Sequence, residues 1–405
     1  MKSQIFFFIF FSGLILMAGC NQELHYPHGS DSIKPGKVQV IDVANIPGGA
    51  IIKFISPGDP DLLYIVASFI DDKGVKREVK VSGLLNSLKV EGFGRAGNYK
   101  IDLFAVDRGE NHSDPTTTEI SPLDPPIISI FPTLSADSDY GGIKVTFQNE
   151  ARAEISINVA VYDSLQNSLV YRESYYTSQR EGAYSFRGFT SVNTKFGIYL
   201  EDLWGNLSDT LIVEAIPIPD EYLEKSKFSI FRIQGDTNFG EYGFSPTQIW
   251  NEVWNSQWDC GHTGAVQMPH YLTIDLGAKV KLSRFKLFQR AGTELYKHGN
   301  PKYFKVYGTL DVNSLPKYNP DNPNDGWTFL KECRSFKPSG LPVGQFSVED
   351  QEFQLKGEDF EFDINNLVEI RYVRFELIEN WEGMNFPYSV IGELSFWGEI
   401  IEEIK

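Results

Sequence analysis

The chain has 405 residues, with 37 basic and 54 acidic side chains and a formal charge of −17 at neutral pH. That sign excludes nucleic acid and anionic lipid as partners held by charge, and suits an extracytoplasmic protein or a neutral ligand. The length is too great for one β-sandwich and suits about three domains of ~90–170 residues.

At the N-terminus, Lys2 precedes an apolar run from Ile5 to Met17, and Met17-Ala-Gly-Cys20 follows. The run falls short of the ~20 residues a membrane span needs. The pattern is that of a secretory signal, and it resembles the signal of bacterial lipoproteins, with Met17 where leucine is commonest. The resemblance implies a signal peptide over 1–19, diacylation of Cys20 and a stable membrane anchor. Residues 20–37 are polar and without periodicity, as a tether is. Glu23 is the acidic residue close to Cys20, and display at the outer-membrane surface is expected.

Next come two copies of one unit of about 90 residues. Asp107, Asn111, Ser113 and Asp114 recur at identical spacing as Asp202, Asn206, Ser208 and Asp209. Pro47-Gly-Gly-Ala-Ile-Ile-Lys-Phe54 likewise pairs with Tyr140-Gly-Gly-Ile-Lys-Val-Thr-Phe147. Short alternating strands are predicted at 51–55, 64–69, 99–105, 143–147, 155–161 and 197–201, separated by Gly, Asp and Asn turns. The expectation is two small sandwiches of immunoglobulin or fibronectin type III kind, over 38–121 and 122–219. The clustered oxygens of Asp-x-x-x-Asn-x-Ser-Asp admit a calcium reading; hairpin turns capped by their own side chains are the favoured one. Pro-rich connections, Ser121–Pro126 and Ile216–Asp220, close each unit and suggest a stiff stalk.

The last third holds four spaced strand patterns: His270-Tyr-Leu-Thr-Ile-Asp-Leu-Gly277, Arg284–Arg290, Arg371-Tyr-Val-Arg-Phe-Glu376 and Gly392-Glu-Leu-Ser-Phe-Trp-Gly398. Period-two alternation sends Leu272, Ile274 and Leu276 inward with Thr273 and Asp275 outward. It likewise sends Val373, Phe375 and Leu377 inward, leaving Arg374 and Glu376 out. In this order the pieces resemble the discoidin fold, the coagulation-factor type C domain, which family 32 carbohydrate-binding modules share. The resemblance covers 228–400 and implies a jelly-roll β-sandwich that binds rather than catalyses. The whole layout resembles lipoproteins of Bacteroidota polysaccharide-utilisation loci, which implies glycan capture at the outer membrane.

Sugars bind by stacking on an aromatic ring while hydroxyls are read by polar side chains. That mixture falls in three loops. The first holds Trp258 and His262; the second follows Arg290 with Glu294, Tyr296 and His298; the third runs Asn380-Trp381-Glu-Gly-Met-Asn385-Phe386-Pro-Tyr388. Trp250, Trp254 and Trp397 read as packing. By resemblance, one structural Ca2+ is implied at Asn251 and Glu393, although Asn251-Glu252 replaces the family's usual Asp-Gly. Cys260 and Cys333 form one disulfide or remain two buried thiols. No Gly-x-Ser-x-Gly, His-Glu-x-x-His, phosphate loop or Cys-x-x-Cys is present, and no enzyme is expected. The reading is an all-β, lipid-anchored glycan-binding protein serving an uptake or degradation system. Its alternative is a structural or adhesive protein binding a protein partner such as an outer-membrane transporter.

Overall fold

The computed structural model describes residues 32–404; across them the chain is all β apart from short helical turns and the nine-residue helix Val348–Lys356. Cys20, the signal segment and most of the 20–37 tether lie outside the described residues. The tether's last residues are docked. Pro35 and Val38 are buried, Gly36 donates its N–H to Asp59 (2.9 Å), and the Thr116 hydroxyl donates to the Val38 carbonyl (2.6 Å).

The first repeat packs a three-stranded sheet (Gln39–Ile46, Gly49–Ile55, Ser87–Glu91) on a four-stranded one in the order Lys76–Ser82, Leu62–Ile70, Tyr99–Asp107, Thr116–Ile120. Alternation drives this: Ile52, Phe54, Ile65, Ala67, Phe69, Ile101 and Leu103 form the buried seam between the sheets. Each large apolar side chain removed from water stabilises by roughly 1.5–3 kcal/mol before conformational entropy is counted.

The second repeat copies the first sheet for sheet. Its three-stranded sheet is Ser135–Asp139, Gly142–Gln148, Glu181–Phe186. Its four-stranded sheet runs Ser168–Thr177, Ile155–Asp163, Thr194–Asp202, Leu211–Ala215. The repeated motifs have repeated jobs. Gly48 and Gly141 both sit at positive φ (66° and 63°). The glycine after each is compelled by crowding, since a Cβ on Gly49 would stand 2.1 Å from the Val90 carbonyl oxygen, and one on Gly142 1.8 Å from that of Phe186. The Asp107 carboxylate accepts from the Asn111 backbone and side-chain amides (2.9 and 3.0 Å), and Asp202 does the same for Asn206 (2.9 and 2.9 Å). Ser113 and Ser208 each accept from a strand N–H. The oxygens are therefore used on turn backbone, the hairpin reading.

The C-terminal unit is a larger sandwich organised by one 19-residue strand, His270–Phe288. Its first half pairs with Glu369–Asn380 and its second half mainly with Glu393–Glu403, with register breaks between. A strand that changes partners at a bend is how a sandwich turns a corner. The corner is Asp275-Leu-Gly277: Gly277 has φ +68° and donates its N–H to Asp275 (2.9 Å), which Arg371 grips with two nitrogens (2.8 and 2.7 Å). Phe285 is the hub of the core, with the rings of Phe304, Phe360, Phe362, Phe375 and Phe396 at 5.1–6.3 Å. These spacings suit edge and offset ring contacts. The four quoted motifs all supply this core, and the fold class is as the alternation predicts.

The outward faces differ from expectation. Thr273 and Asp275 are buried, and Arg374 is fully buried. The segment after Ile230 crosses that face: Phe231 donates to the Thr273 carbonyl (3.1 Å) and Thr237 to that of Tyr271 (2.9 Å). Arg374 lies beneath it, ion-paired to Asp236 and bonded to Thr273 and Asn324, with Tyr271 and Trp327 rings at 4.6 and 5.5 Å. Alternation reports that a face is polar; it does not report that another segment covers it. Cys260 and Cys333 are two free, buried thiols.

The units touch. Gly48 donates to the Leu123 carbonyl (2.9 Å), Lys73 to that of Gly205 (2.5 Å), and Arg77 lies over Trp204 at 5.5 Å. Between the second and C-terminal sandwiches, Asp220 takes Arg284 (3.0 Å) and Ser283, Arg187 pairs with Glu361, and the Tyr140 hydroxyl donates to the Phe362 carbonyl (3.1 Å).

Candidate ligand site

Loops at one end of the C-terminal sandwich build a ring of aromatics around a histidine pair. Gly261–His262 pairs with Val390–Ile391 as a two-stranded ribbon, which ties the first and third loops together. His262 is buried. Its Nδ1 faces the Thr263 carbonyl at 2.7 Å, so Nδ1 carries the proton and Nε2 is the free acceptor. Nε2 of His298 lies 3.4 Å away and donates to it. Burial pushes the His262 pKa below the usual imidazole value; the Thr263 hydrogen bond opposes this, and the charges of Arg290 and His298 add to the downward push, so the neutral ring is favoured.

Phe244 stacks on His262 (5.3 Å, 14°), with Tyr242 and Tyr388 edge-on at 5.2 and 5.6 Å. Tyr388 lies parallel to His298 (6.0 Å, 9°), and Phe386 closes that flank at 5.8 Å. Arg290 is buried at 4% exposure, its Nε donating to the Gln257 carbonyl (2.6 Å) and its guanidinium 5.4 and 5.7 Å from the Phe244 and Trp258 rings. Among the described residues no carboxylate lies within ion-pair distance of it, whereas the buried Lys225, Arg284 and Arg374 all have one. Buried Lys337 is instead surrounded by the carbonyls of Leu341, Pro342 and Gln345. Trp258 is 69% exposed. Glu294 lies 3.9 Å from His298 and 3.8 Å from Lys297.

The second loop is held from inside by Asn300. Its amide donates to the carbonyls of Glu294 (2.7 Å) and Lys297 (3.0 Å), and its oxygen accepts the Arg290 N–H (2.6 Å). This fixes Tyr296 and His298 at positive φ (53° and 48°), a conformation non-glycine residues adopt at a cost of order 1–3 kcal/mol when the surroundings enforce it.

Of the residues singled out from sequence, Trp258, His262, Arg290, Glu294 and His298 come together. Three are corrected. Tyr296 is buried at 1% exposure, edge-on to Trp381 at 5.1 Å and under Lys337 at 5.4 Å, so it packs the loop. Asn380 is fully buried; its amide donates to the Phe386 and Tyr388 carbonyls (3.1 and 2.9 Å) and its oxygen accepts the Glu382 N–H, so it braces the third loop. Trp381 is half-buried, its ring against Tyr296 and 5.8 Å from Lys302. Asn385 is exposed on the same loop as Phe386. Tyr242 and Phe244 were not singled out, and Phe386 and Tyr388 were named only as members of the third loop; the four rings surround the histidine pair. Their signal was an aromatic beside Gly or Pro in a segment without alternation: Tyr242-Gly-Phe244 and Phe386-Pro-Tyr388.

The residues of the implied calcium site are engaged otherwise. Glu393 is fully buried, and its carboxylate takes the Lys225 ammonium and the backbone N–H groups of Asn251 (3.2 Å) and Glu252 (3.0 Å). The Asn251 oxygen accepts the Val253 N–H and its amide donates to Asp259. Calcium takes six to eight oxygen ligands; donors fill this position, so the residues do not fit the ion.

A cleft of about 680 Å3 lies elsewhere, lined by Leu282, Phe329, Phe362 and Val368. Its polar groups, Asp363, Asn365 and Asn366, bond to one another.

Three family models match in succession: a domain of unknown function (DUF4959) over 35–122, a domain of unknown function (DUF5126) over 123–226, and the domain of unknown function DUF5000 over 250–398. No curated protein matches. Among solved structures the chain is similar to the SusE-like protein BT2857, at 28% identity over 68% of this chain and 100% of that one, TM-score 0.44. It is similar to the family 32 module of Clostridium perfringens NanJ in complex with galactose, at 14% identity over 44% of this chain and 98% of that one, TM-score 0.29. A third is a fucolectin from striped bass (Morone saxatilis) serum, at 11% identity over 66% of this chain and 86% of that one, TM-score 0.31.

Proposed function

We propose that the C-terminal sandwich is a glycan-binding module and that the chain, held by a lipid on Cys20 at the outer-membrane surface, presents captured saccharide to an uptake or degradation system. Arg290 carries this reading. A guanidinium buried without a carboxylate is costly unless something completes its hydrogen bonds. Here it lies between two aromatic rings near the buried His262 and its neighbour His298, a set of polar groups and apolar faces that suits the hydroxyls and ring face of a sugar. Trp258 supplies an exposed stacking surface at its edge. The arrangement holds no nucleophile activated by a base, and binding without reaction is the chemistry proposed. Each hydroxyl exchanged from water is worth ~0.5–1.5 kcal/mol net, so affinity for one sugar is modest.

A glycan array probed with the full chain, Arg290→Ala and Trp258→Ala tests this. Binding by the parent that falls at least tenfold in both variants, with unchanged melting temperatures, supports it. Binding that survives Arg290→Ala, or no binding by the folded parent, refutes it. The anchor is tested separately by metabolic labelling with a fatty acid, which Cys20→Ala should abolish.

A further inference from the structure

We propose that Lys225 is a built-in cation that does the work of a bound metal ion, fastening the loop that leads to Trp258 onto the strand Glu393–Glu403 and onto the segment joining the two last sandwiches. This inference is independent of what the site binds.

The geometry is specific. The Lys225 side chain is 5% exposed, and its ammonium contacts Glu393 and lies 3.3 Å from Glu252 Oε1 and 5.8 Å from the Tyr222 ring centroid. The Tyr222 hydroxyl donates to the same Glu252 oxygen at 2.5 Å. Tyr222 and Lys225 belong to the joining segment, whose Glu221–Tyr222 pairs with Gly398 and Trp397 at the sheet edge. Glu252 belongs to the loop that continues to Gln257 and Trp258, and it sits at φ +66°. That left-handed backbone is held because the Glu252 N–H points at Glu393 (3.0 Å). One positive charge thus neutralises two carboxylates drawn from two separate stretches, and through them joins three segments.

A point charge on a flexible stem can bridge the buried Glu393 and the exposed Glu252 as an ion does, without recruiting ligands from solvent. Removing it while keeping Glu393 and Glu252 leaves one buried and one exposed carboxylate and the Tyr222 oxygen around the vacated position. That oxygen-rich set is what a hard divalent cation prefers. The parent chain should therefore be indifferent to calcium, and Lys225→Ala should acquire a response to it.

The experiment is thermal unfolding of the full chain and of Lys225→Ala, each in EDTA and in millimolar CaCl2. The parent is expected to melt at the same temperature in both. Lys225→Ala is expected to melt roughly 10 °C lower in EDTA, the scale of a broken buried ion pair in a domain of this size, and to recover at least a third of that loss in calcium. A Lys225→Ala, Glu393→Gln double variant should lose the recovery, which separates site binding from a general salt effect. Calcium stabilisation of the parent overturns the proposal, because a metal would then be displacing the lysine. An unaltered melting temperature in Lys225→Ala, or no recovery in calcium, overturns it as well. Should Lys225→Ala fail to fold, calorimetric titration of the parent with CaCl2 decides the matter: heat of binding that Glu393→Gln removes overturns it, and no heat upholds it.

Discussion

Replacing Arg374 with Met leaves Asp236 as a buried carboxylate without its cation. In the parent, Arg374 is fully buried, paired with Asp236, bonded to Thr273 (2.9 Å) and Asn324 (3.0 Å), and flanked by two aromatic rings. Asp236 is itself mostly buried, and desolvation already pushes its pKa up despite the opposing arginine. Deleting one partner of such a pair costs about 3–5 kcal/mol, chiefly because the other is stranded. In a domain of ~170 residues each kcal/mol moves the melting temperature by roughly 2–4 °C. Calorimetry of the full chain should therefore show the C-terminal transition falling by about 6–20 °C. The transitions of the two repeats, whose cores are separate, should stay in place. The double variant Arg374→Met, Asp236→Leu should regain at least half of the loss, since no charge is then stranded. A single variant within ~1 kcal/mol of the parent, or a double variant no better than the single, would refute the account of that buried face.

Glu358 gives a pH test. Burial raises its pKa from 4.5 to about 7, with the Ser335 hydroxyl and the Phe336 N–H pulling the other way. The folded chain holds this proton more tightly than the unfolded one, so the stability it contributes is present below pH 4.5 and lost as pH rises to 7. That amounts to ~3 kcal/mol across the window. Glu358→Gln should match the parent within ~1 kcal/mol at pH 4.5 and exceed it by about 2–3 kcal/mol at pH 8 in denaturant titrations; a pH-independent difference would count against the assignment. Gly49→Ala should destabilise the first repeat by about 2–4 kcal/mol, because its Cβ would enter the Val90 carbonyl. Gly58→Ala, with nothing within 4 Å of the new atom, should stay within ~0.5 kcal/mol of the parent.

The alternation of apolar residues by itself determined the all-β class, the repeat and the inward faces, because a strand's two faces are encoded by neighbours two residues apart. The Asp107–Asn111 and Asp202–Asn206 turns were legible because their partners lie four positions away, and the glycines because the motif that holds them recurs in both repeats. The grouping of side chains in the candidate site was legible in part. Arg290, His262 and His298 were found as polar residues in loops, while Tyr296 and Asn380 look identical in sequence and were turned inward by loops that needed bracing. Only the tertiary structure decided which polar faces are covered and what neutralises each buried charge. Asp236 meets Arg374 and Lys225 meets Glu393 across 138 and 168 positions. Coulomb attraction and desolvation depend on distance through space, so no local pattern reports them.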